Sequence, residues 1–335
     1  MIEQEFKNIV EEIKQQINST RYEIFKNANM NLLKLYYNIG KIINENSSWG
    51  NKFIDGLAME LKMTFPNIKG FSVRNLKSMK KYYIECSKNE KVQMSSAQIP
   101  WSHNMLILDK IQDDIKRIWY MQQTAINGWS YDVLAFQIKS KLYERQVLGD
   151  KPNNFNESLS SPQSELARDM MKDPYILNLT GLKQNYIETE LEQAMVEKIK
   201  TVLLELGNGF SFVGNQYKLE VGDKEYFIDL LFYHTKLHCY IVVELKNTEF
   251  KPEYAGKVNF YLSAVDSLVK DEQDNPSIGI ILCREKDKIS VEYALKDINK
   301  PIGVSSYEIS KFLPKDIFGS LPTEEELNLH IDIIE

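Results

Sequence analysis

Two carboxylates and a lysine lie within the segment YFIDLLFYHTKLHCYIVVELKN, residues 226–247: Asp229, Glu244 and Lys246. The segment reads as two β-rich runs joined by the polar stretch HTKLH, and a two-residue loop at Lys236 and Leu237 sets Asp229 directly across from Glu244. Because side chains alternate along a strand, Asp229, Leu231 and Tyr233 then share a face with Tyr240, Val242, Glu244 and Lys246. The opposite face receives Ile228, Leu230, Phe232, Ile241, Val243 and Leu245, and is entirely apolar. Hard divalent cations such as Mg²⁺ are held by carboxylate oxygens with several waters retained, and paired carboxylates one strand apart can share one or two ions. Such ions acidify a bound water and neutralise charge on a phosphate. A lysine two residues beyond Glu244 can orient the attacking water or contact the developing oxyanion. The chemistry implied is phosphodiester hydrolysis with Mg²⁺, or Mn²⁺ in its place. The competing reading is a solvated sheet face on which Lys246 merely offsets two like charges.

Such residues need a sheet to position them, and the second half of the chain supplies its parts. A helix is expected over 188–206, strands at 210–221, 224–234, 238–247 and 278–283, and a helix over 252–270 between the last two. That order describes a mixed sheet flanked by helices, an α/β domain. The first half differs. From residue 2 to about 147 apolar residues recur at three and four, as in Ile24, Ala28, Leu32, Leu35, Ile39 and Ile42, which predicts a mostly α-helical domain. Between them GDKPNNFNESLSSPQSE, residues 149–165, is rich in Gly, Pro, Asn and Ser and reads as a linker. The expected organisation is α+β overall: a helical domain over 1–148, a linker over 149–168 and the α/β domain over 169–335.

The formal charge of -6 hides an asymmetry. Residues 1–148 hold 21 Lys+Arg against 15 Asp+Glu, a net of +6, whereas the remainder holds 20 against 32, a net of -12. A basic half suits a polyanionic partner, and an acidic half working on that partner needs cations to hold it. Within the basic half, LAMELKMTF, PNIKGF and SVRNLKSMKKYY read as helix, turn and helix, the second capped by Ser72. A helix-turn-helix of this kind presents Arg74, Asn75, Lys77 and Lys81 to a duplex. The alternative is packing or dimerisation through Tyr82 and Tyr83. Ser102 and Ser130 read as N-caps beside Trp101 and Trp129, which makes IPWSHN and NGWSY fold anchors, and His103, His234 and His238 receive no catalytic role. The cysteines Cys86, Cys239 and Cys283 are too scattered for a disulfide framework or a structural zinc site and are expected as buried thiols. No run of about 18 apolar residues occurs, so no membrane association and a cytoplasmic setting are expected.

The run GFSFVGNQYKLEVGDKEYFIDLLFYHTKLHCYIVVELKNTEFKPEYAGKVNFYL, residues 209–262, resembles the nuclease domain of the bacterial YhcG-like family of PD-(D/E)XK proteins. LYYNIGKII, FPNIKGFSVRNLKSMKKYY, IPWSHN and NGWSYDVLAFQI resemble the same family's N-terminal domain, so the likeness spans nearly the whole chain. It implies a restriction-endonuclease-like fold with Asp229 and Glu244 as metal ligands, Lys246 as catalytic lysine, and DNA as the expected substrate. Duplex cutting then asks for two active sites and hence a homodimer or higher homo-oligomer, and the resemblance suggests genome defence or processing of mobile DNA. Nucleases of this type often carry a glutamate on the helix before the sheet. Of Glu188, Glu190, Glu192 and Glu197, Glu192 shares a stripe with Val196, Ile199 and Leu203 and is preferred as an outer metal or water ligand. Where relatives carry a glutamine after Pro252, this chain has Lys257. A lysine there either binds phosphate or pairs with a ligand carboxylate and displaces the metal. Two alternatives stand beside the nuclease: a nucleic-acid-binding protein whose nuclease fold has lost catalysis, and a structural or regulatory subunit of a defence complex.

Overall fold

The computed structural model describes residues 2–46, 51–179, 182 and 185–310, and the chain divides into two compact units, the first running to Ile138 and the second beginning at Lys139. The first unit is helical, as the spacing predicts: α1 (Ile2–Glu45), α2 (Asn51–Thr64), α3 (Val73–Lys88), α4 (Glu90–Ser96), α5 (Trp101–Lys110), α6 (Asp114–Asn127) and α7 (Tyr131–Lys139). Leu32, Tyr36 and Ile43 of α1 close on Leu76 and Met79 of α3, and a methyl on Gly40 would collide with the Met79 carbonyl, so the glycine in LYYNIGKII lets the two helices touch. Trp101 packs edge-on against Tyr36 and Tyr82, with centroids 4.8 and 5.3 Å away. The polar groups of IPWSHN serve this packing: the Asn104 amide donates to Ser96 O (2.9 Å) and Ile99 O (3.1 Å), and His103 Nε2 lies 2.9 Å from Trp129 O. Ser72 caps α3 and Ser130 accepts from Val133 N (3.3 Å), but Ser102 caps nothing, because α5 already begins at Trp101 behind Pro100.

The linker expected over 149–168 is instead part of the second unit. It forms α8 (Phe155–Ser158) and most of α9 (Gln163–Met170), with Phe155 and Ala167 fully buried. Asn154 ties it down: its Nδ2 donates to Ile298 O (2.7 Å) and Lys300 O (3.0 Å), and its Oδ1 accepts from Ile302 N (2.8 Å). By compactness the second unit begins at Lys139. Composition misled here because one aromatic and one amide anchor an otherwise polar stretch.

The same unit carries a six-stranded sheet in the order β1-β6-β5-β4-β3-β2: β1 (Tyr175–Asn178), β2 (Phe210–Val221), β3 (Lys224–His234), β4 (Cys239–Leu245), β5 (Ile278–Cys283) and β6 (Ile302–Ser310). β2, β3 and β4 are antiparallel neighbours, whereas β4, β5, β6 and β1 run parallel. The expected helix over 188–206 is two, α10 (Glu188–Glu197) and α11 (Ile199–Leu206), broken at Lys198, and they cover one face with Leu191, Met195, Val202 and Leu206. The other face lies under α12 (Pro252–Leu268) and α13 (Lys288–Leu295), through Val258, Leu262, Val265, Val291 and Leu295. Both faces are therefore core. That is why IVVEL and IGIIL are nearly continuous apolar runs, the habit of parallel strands covered on both sides. The three cysteines are buried free thiols, and among the described residues no helix is long and apolar enough to cross a membrane.

Candidate active site

The β3–β4 hairpin brings the site together. Leu231 pairs with Val242 and Tyr233 with Tyr240, the register expected from the sequence, although the connecting loop spans Thr235 to His238 rather than two residues. The paired residues end at Leu230 and Val243, so Asp229 and Glu244 follow immediately past the last pair on their two strands. One face assignment differs: Ile228 lies with Leu231 in the core under α12, not with Leu230, so the alternation slips at Asp229. Beside it Gln216 of β2 adopts φ +44, and the β2–β3 pairs step from Tyr217–Ile228 to Asn215–Leu230 around it. Irregularities of this kind re-aim a side chain next to functional sites.

Asp229 is left half-buried, and its Oδ2 accepts from Leu245 N at 2.8 Å. Burial, and then the neighbouring charge of Glu244, push its carboxyl up to about 6. Glu244 is completely buried. Its Oε1 receives Lys257 Nζ at 2.6 Å and Lys246 Nζ at 3.0 Å, while its Oε2 has no hydrogen-bond partner among the described residues. An unpartnered buried carboxylate oxygen is costly unless a further group satisfies it. Lys246 spends its three donors on Glu188 Oε2 (2.8 Å), Leu245 O (2.8 Å) and Glu244 Oε1. Burial lowers the pKa of both lysines, but the bonds to Glu188 and Glu244 outweigh it for Lys246, and the bond to Glu244 for Lys257, so both lie above the ordinary lysine value. Asp229, Glu244, Lys246 and Lys257, four residues anticipated from the sequence, thus form one cluster.

Glu192 stands differently. Its two oxygens accept from Asn215 Nδ2 (3.0 Å) and Gln216 Nε2 (2.5 Å) of β2, which braces the irregular strand beside Asp229. Among the described residues no three Asp, Glu, His or Cys side chains gather as a ready cation cage. Glu188 is the glutamate that reaches Lys246, and its Oε1 also accepts from Asn247 N at 3.4 Å. It lies one helical turn before Glu192 on the same stripe, so helical spacing favours the two equally. Two carboxylates, one with a vacant buried oxygen and one whose proton is held above the usual range, suit Mg²⁺, which keeps several waters and takes one or two protein carboxylates.

In the first unit Arg74, Lys77 and Lys81 of α3, with Val73 and Ser78, line an open cleft of about 560 Å³. Lys81 is paired with Asp109 at 2.6 Å. Asn75 is committed inward: its Oδ1 accepts from Trp101 Nε1 (2.8 Å) and its Nδ2 donates to Gly70 O (2.5 Å), so it does not belong to the cationic face. The connection between α2 and α3 runs over 65–72, longer than the roughly 3–4 residues of a helix-turn-helix turn. Tyr82 is buried with its hydroxyl 2.7 Å from Ser96 Oγ, and Tyr83 packs edge-on against Tyr37 at 5.1 Å, so both aromatics serve the unit's own packing.

Comparison with known proteins agrees with this layout. Residues 168–322 match the YhcG PDDEXK nuclease domain, and residues 12–145 match the DUF1016 N-terminal domain. A protein of Escherichia coli (strain K12) named "Putative nuclease YhcG" is 28% identical over 329 residues, covering 88% of this chain and 87% of its own length. Two solved structures align more loosely: a repair endonuclease from Pyrococcus abyssi (16% identity, 39% of this chain, TM-score 0.25) and an EndoMS–dsDNA complex (13% identity, 41% of this chain, TM-score 0.26). The alignment spans half the length of each of those two chains. Both of its parts are thus matched, and the chain carries a PD-(D/E)XK nuclease domain of the YhcG type behind an N-terminal domain of the DUF1016 type.

Proposed function

We propose that the protein is a Mg²⁺-dependent endonuclease that hydrolyses phosphodiester bonds in DNA, with Mn²⁺ able to replace Mg²⁺. The observation that carries this reading is the cluster on the β3–β4 hairpin, where Asp229 and the buried, half-satisfied Glu244 lie beside two lysines. Asp229 and Glu244 would hold the ion, which supplies an acidified water and positive charge against the phosphate. Lys246, fixed by Glu188 and Leu245 O, is positioned to donate to the attacking water or to the phosphate oxygen on which charge develops. Glu192 acts at one remove, bracing Gln216 and Asn215 beside Asp229 and orienting outer water. Lys257 contributes a second positive charge at Glu244 and would be available to a substrate phosphate. Arg74, Lys77 and Lys81 bind the DNA backbone from the first unit.

Cutting both strands of a duplex requires two such sites, and a homodimer provides them. The early part of α1 supports that assembly: Phe6, Ile9, Ile13, Ile17 and Ile24 are each more than half exposed along one stripe, the seam of a helix that packs against a copy of itself. The setting is the cytoplasm, and the role is defence against, or processing of, mobile DNA. A second reading is favoured by one contact: if Lys257 keeps Glu244 Oε1 against any cation, the second unit binds nucleic acid without cutting it. Metal titration separates the two. Calorimetry with Mn²⁺ showing binding that Asp229→Ala abolishes supports the nuclease, and absence of binding with DNA affinity intact supports the inactive module.

A further inference from the structure

Parallel strands β4 and β5 end side by side, so the residues just past one strand lie against those just past the other. Lys246 N donates to Leu282 O at 2.8 Å, and Arg284 N donates to Thr248 O at 2.9 Å, so Arg284 immediately after β5 is the neighbour of Lys246–Thr248 immediately after β4. Its guanidinium does not drift in solvent. It lies over the ring of Tyr186, 4.6 Å from the centroid, within hydrogen-bonding reach of the Tyr186 and Tyr307 hydroxyls. Those tyrosines are themselves buried and joined, hydroxyl to hydroxyl, at 3.2 Å. The Tyr186 carbonyl accepts from Asn247 Nδ2, and Asn247 N donates to Glu188, the same glutamate that fixes Lys246.

Arg284 is exposed, and among the described residues no carboxylate is paired with it. An arginine stacked on an aromatic ring presents a rigid, always-charged fork whose geometry matches phosphate, and a preformed fork loses less conformational freedom on binding than a loose one. The ends of parallel strands are also where ligands settle in open α/β sheets.

We propose that Arg284 is a substrate-binding residue: on the platform of Tyr186 and Tyr307 it grips a backbone phosphate of the nucleic acid next to the bond presented to Asp229, Glu244 and Lys246. The inference rests on the nuclease reading and adds to it a contact just past the end of β5, beside Lys246–Thr248. It makes Arg284 a residue of affinity and register, while the bond-breaking groups stay on β3 and β4.

The test is binding of a labelled DNA duplex to the full chain in EDTA, where no cutting occurs, over a series of salt concentrations. Arg284→Ala is expected to weaken binding about tenfold at low salt and to flatten the slope of log K against log salt by roughly 0.9, the value of one lost phosphate contact on B-DNA. Arg284→Lys restores the slope but not the full affinity, because it keeps the charge and loses the fork. In cleavage assays with Mg²⁺, Arg284→Ala raises KM and leaves kcat close to wild type. Equal slopes for wild type, Arg284→Ala and Arg284→Lys overturn the proposal, including the case in which Arg284→Ala merely lowers Tm by loosening the Tyr186 platform. If the wild type binds no nucleic acid at any salt, the nuclease reading falls first; if it binds and cuts with the slope unmoved by Arg284, this proposal alone falls.

Discussion

A carboxylate half-buried beside another is held at the expense of the fold, and Asp229 carries that tension in this protein. Its pKa is raised to about 6, chiefly by burial. For a group whose folded pKa exceeds its unfolded value of 3.8, the associated stability is complete below 3.8 and is lost as pH rises through about 6. Asp229→Asn, which removes the charge but can still accept from Leu245 N, should therefore raise Tm of the metal-free protein at pH 7, and the gain should vanish as pH falls below about 4. Scanning calorimetry across pH 4–8 checks it, and a Tm lowered at pH 7 would contradict it. Lys257 gives a second prediction at this scale. Its ammonium competes with any cation for Glu244 Oε1, so Lys257→Gln should lower the Mg²⁺ concentration for half-maximal activity by on the order of tenfold, whereas a catalytic requirement for the charge would show as lost kcat instead. The sequence made the β3–β4 register legible as far as Leu230 and Val243, because period-two alternation determines it. It hid the partner of Lys246, since Glu188 and Glu192 lie on the same helical stripe, one reaching Lys246 past the end of β4 and the other Asn215 and Gln216 within β2.

Among the elements, legibility followed periodicity. The strands at 210–221, 224–234 and 278–283 and the helix after Pro252 are amphipathic or apolar enough to be read directly. β6 is not, because the polarity of IGVSSYEIS is what a strand shows when its serines bond inward: Ser305 and Ser306 hydroxyls both donate to Asp173 Oδ1, at 3.1 and 2.8 Å. β1, four residues long, is too short to show a period. The segment whose composition reads as a linker makes the clearest test. Since Phe155 is fully buried, Phe155→Ala should cost about 3–5 kcal/mol, seen as a fall in the urea midpoint of the second unit, where a tether would lose nothing. Shortening 149–168 should likewise unfold that unit rather than change a tether's reach.

For the whole molecule, the chain divides into two compact units and the family matches lie one toward each half. Composition does not mark where the first unit stops, because α7 runs to the break at 138/139 without any change along it. Assembly is predicted through α1: light scattering should give the mass of a dimer for the wild type and of a monomer for Ile13→Glu with Ile17→Glu, and a monomeric wild type would contradict the proposed seam. The central claim is that the cluster on β3 and β4 cuts nucleic acid. Its most direct test is cleavage of labelled linear and supercoiled DNA in Mg²⁺, Mn²⁺ or EDTA by the wild type, Asp229→Ala and Lys246→Ala. The predicted result is cutting by the wild type in either metal, none in EDTA, and a loss on the order of 10²–10³ or more in both variants; cutting that survives Asp229→Ala and Lys246→Ala, or DNA bound by the wild type and left intact in both metals, would contradict it.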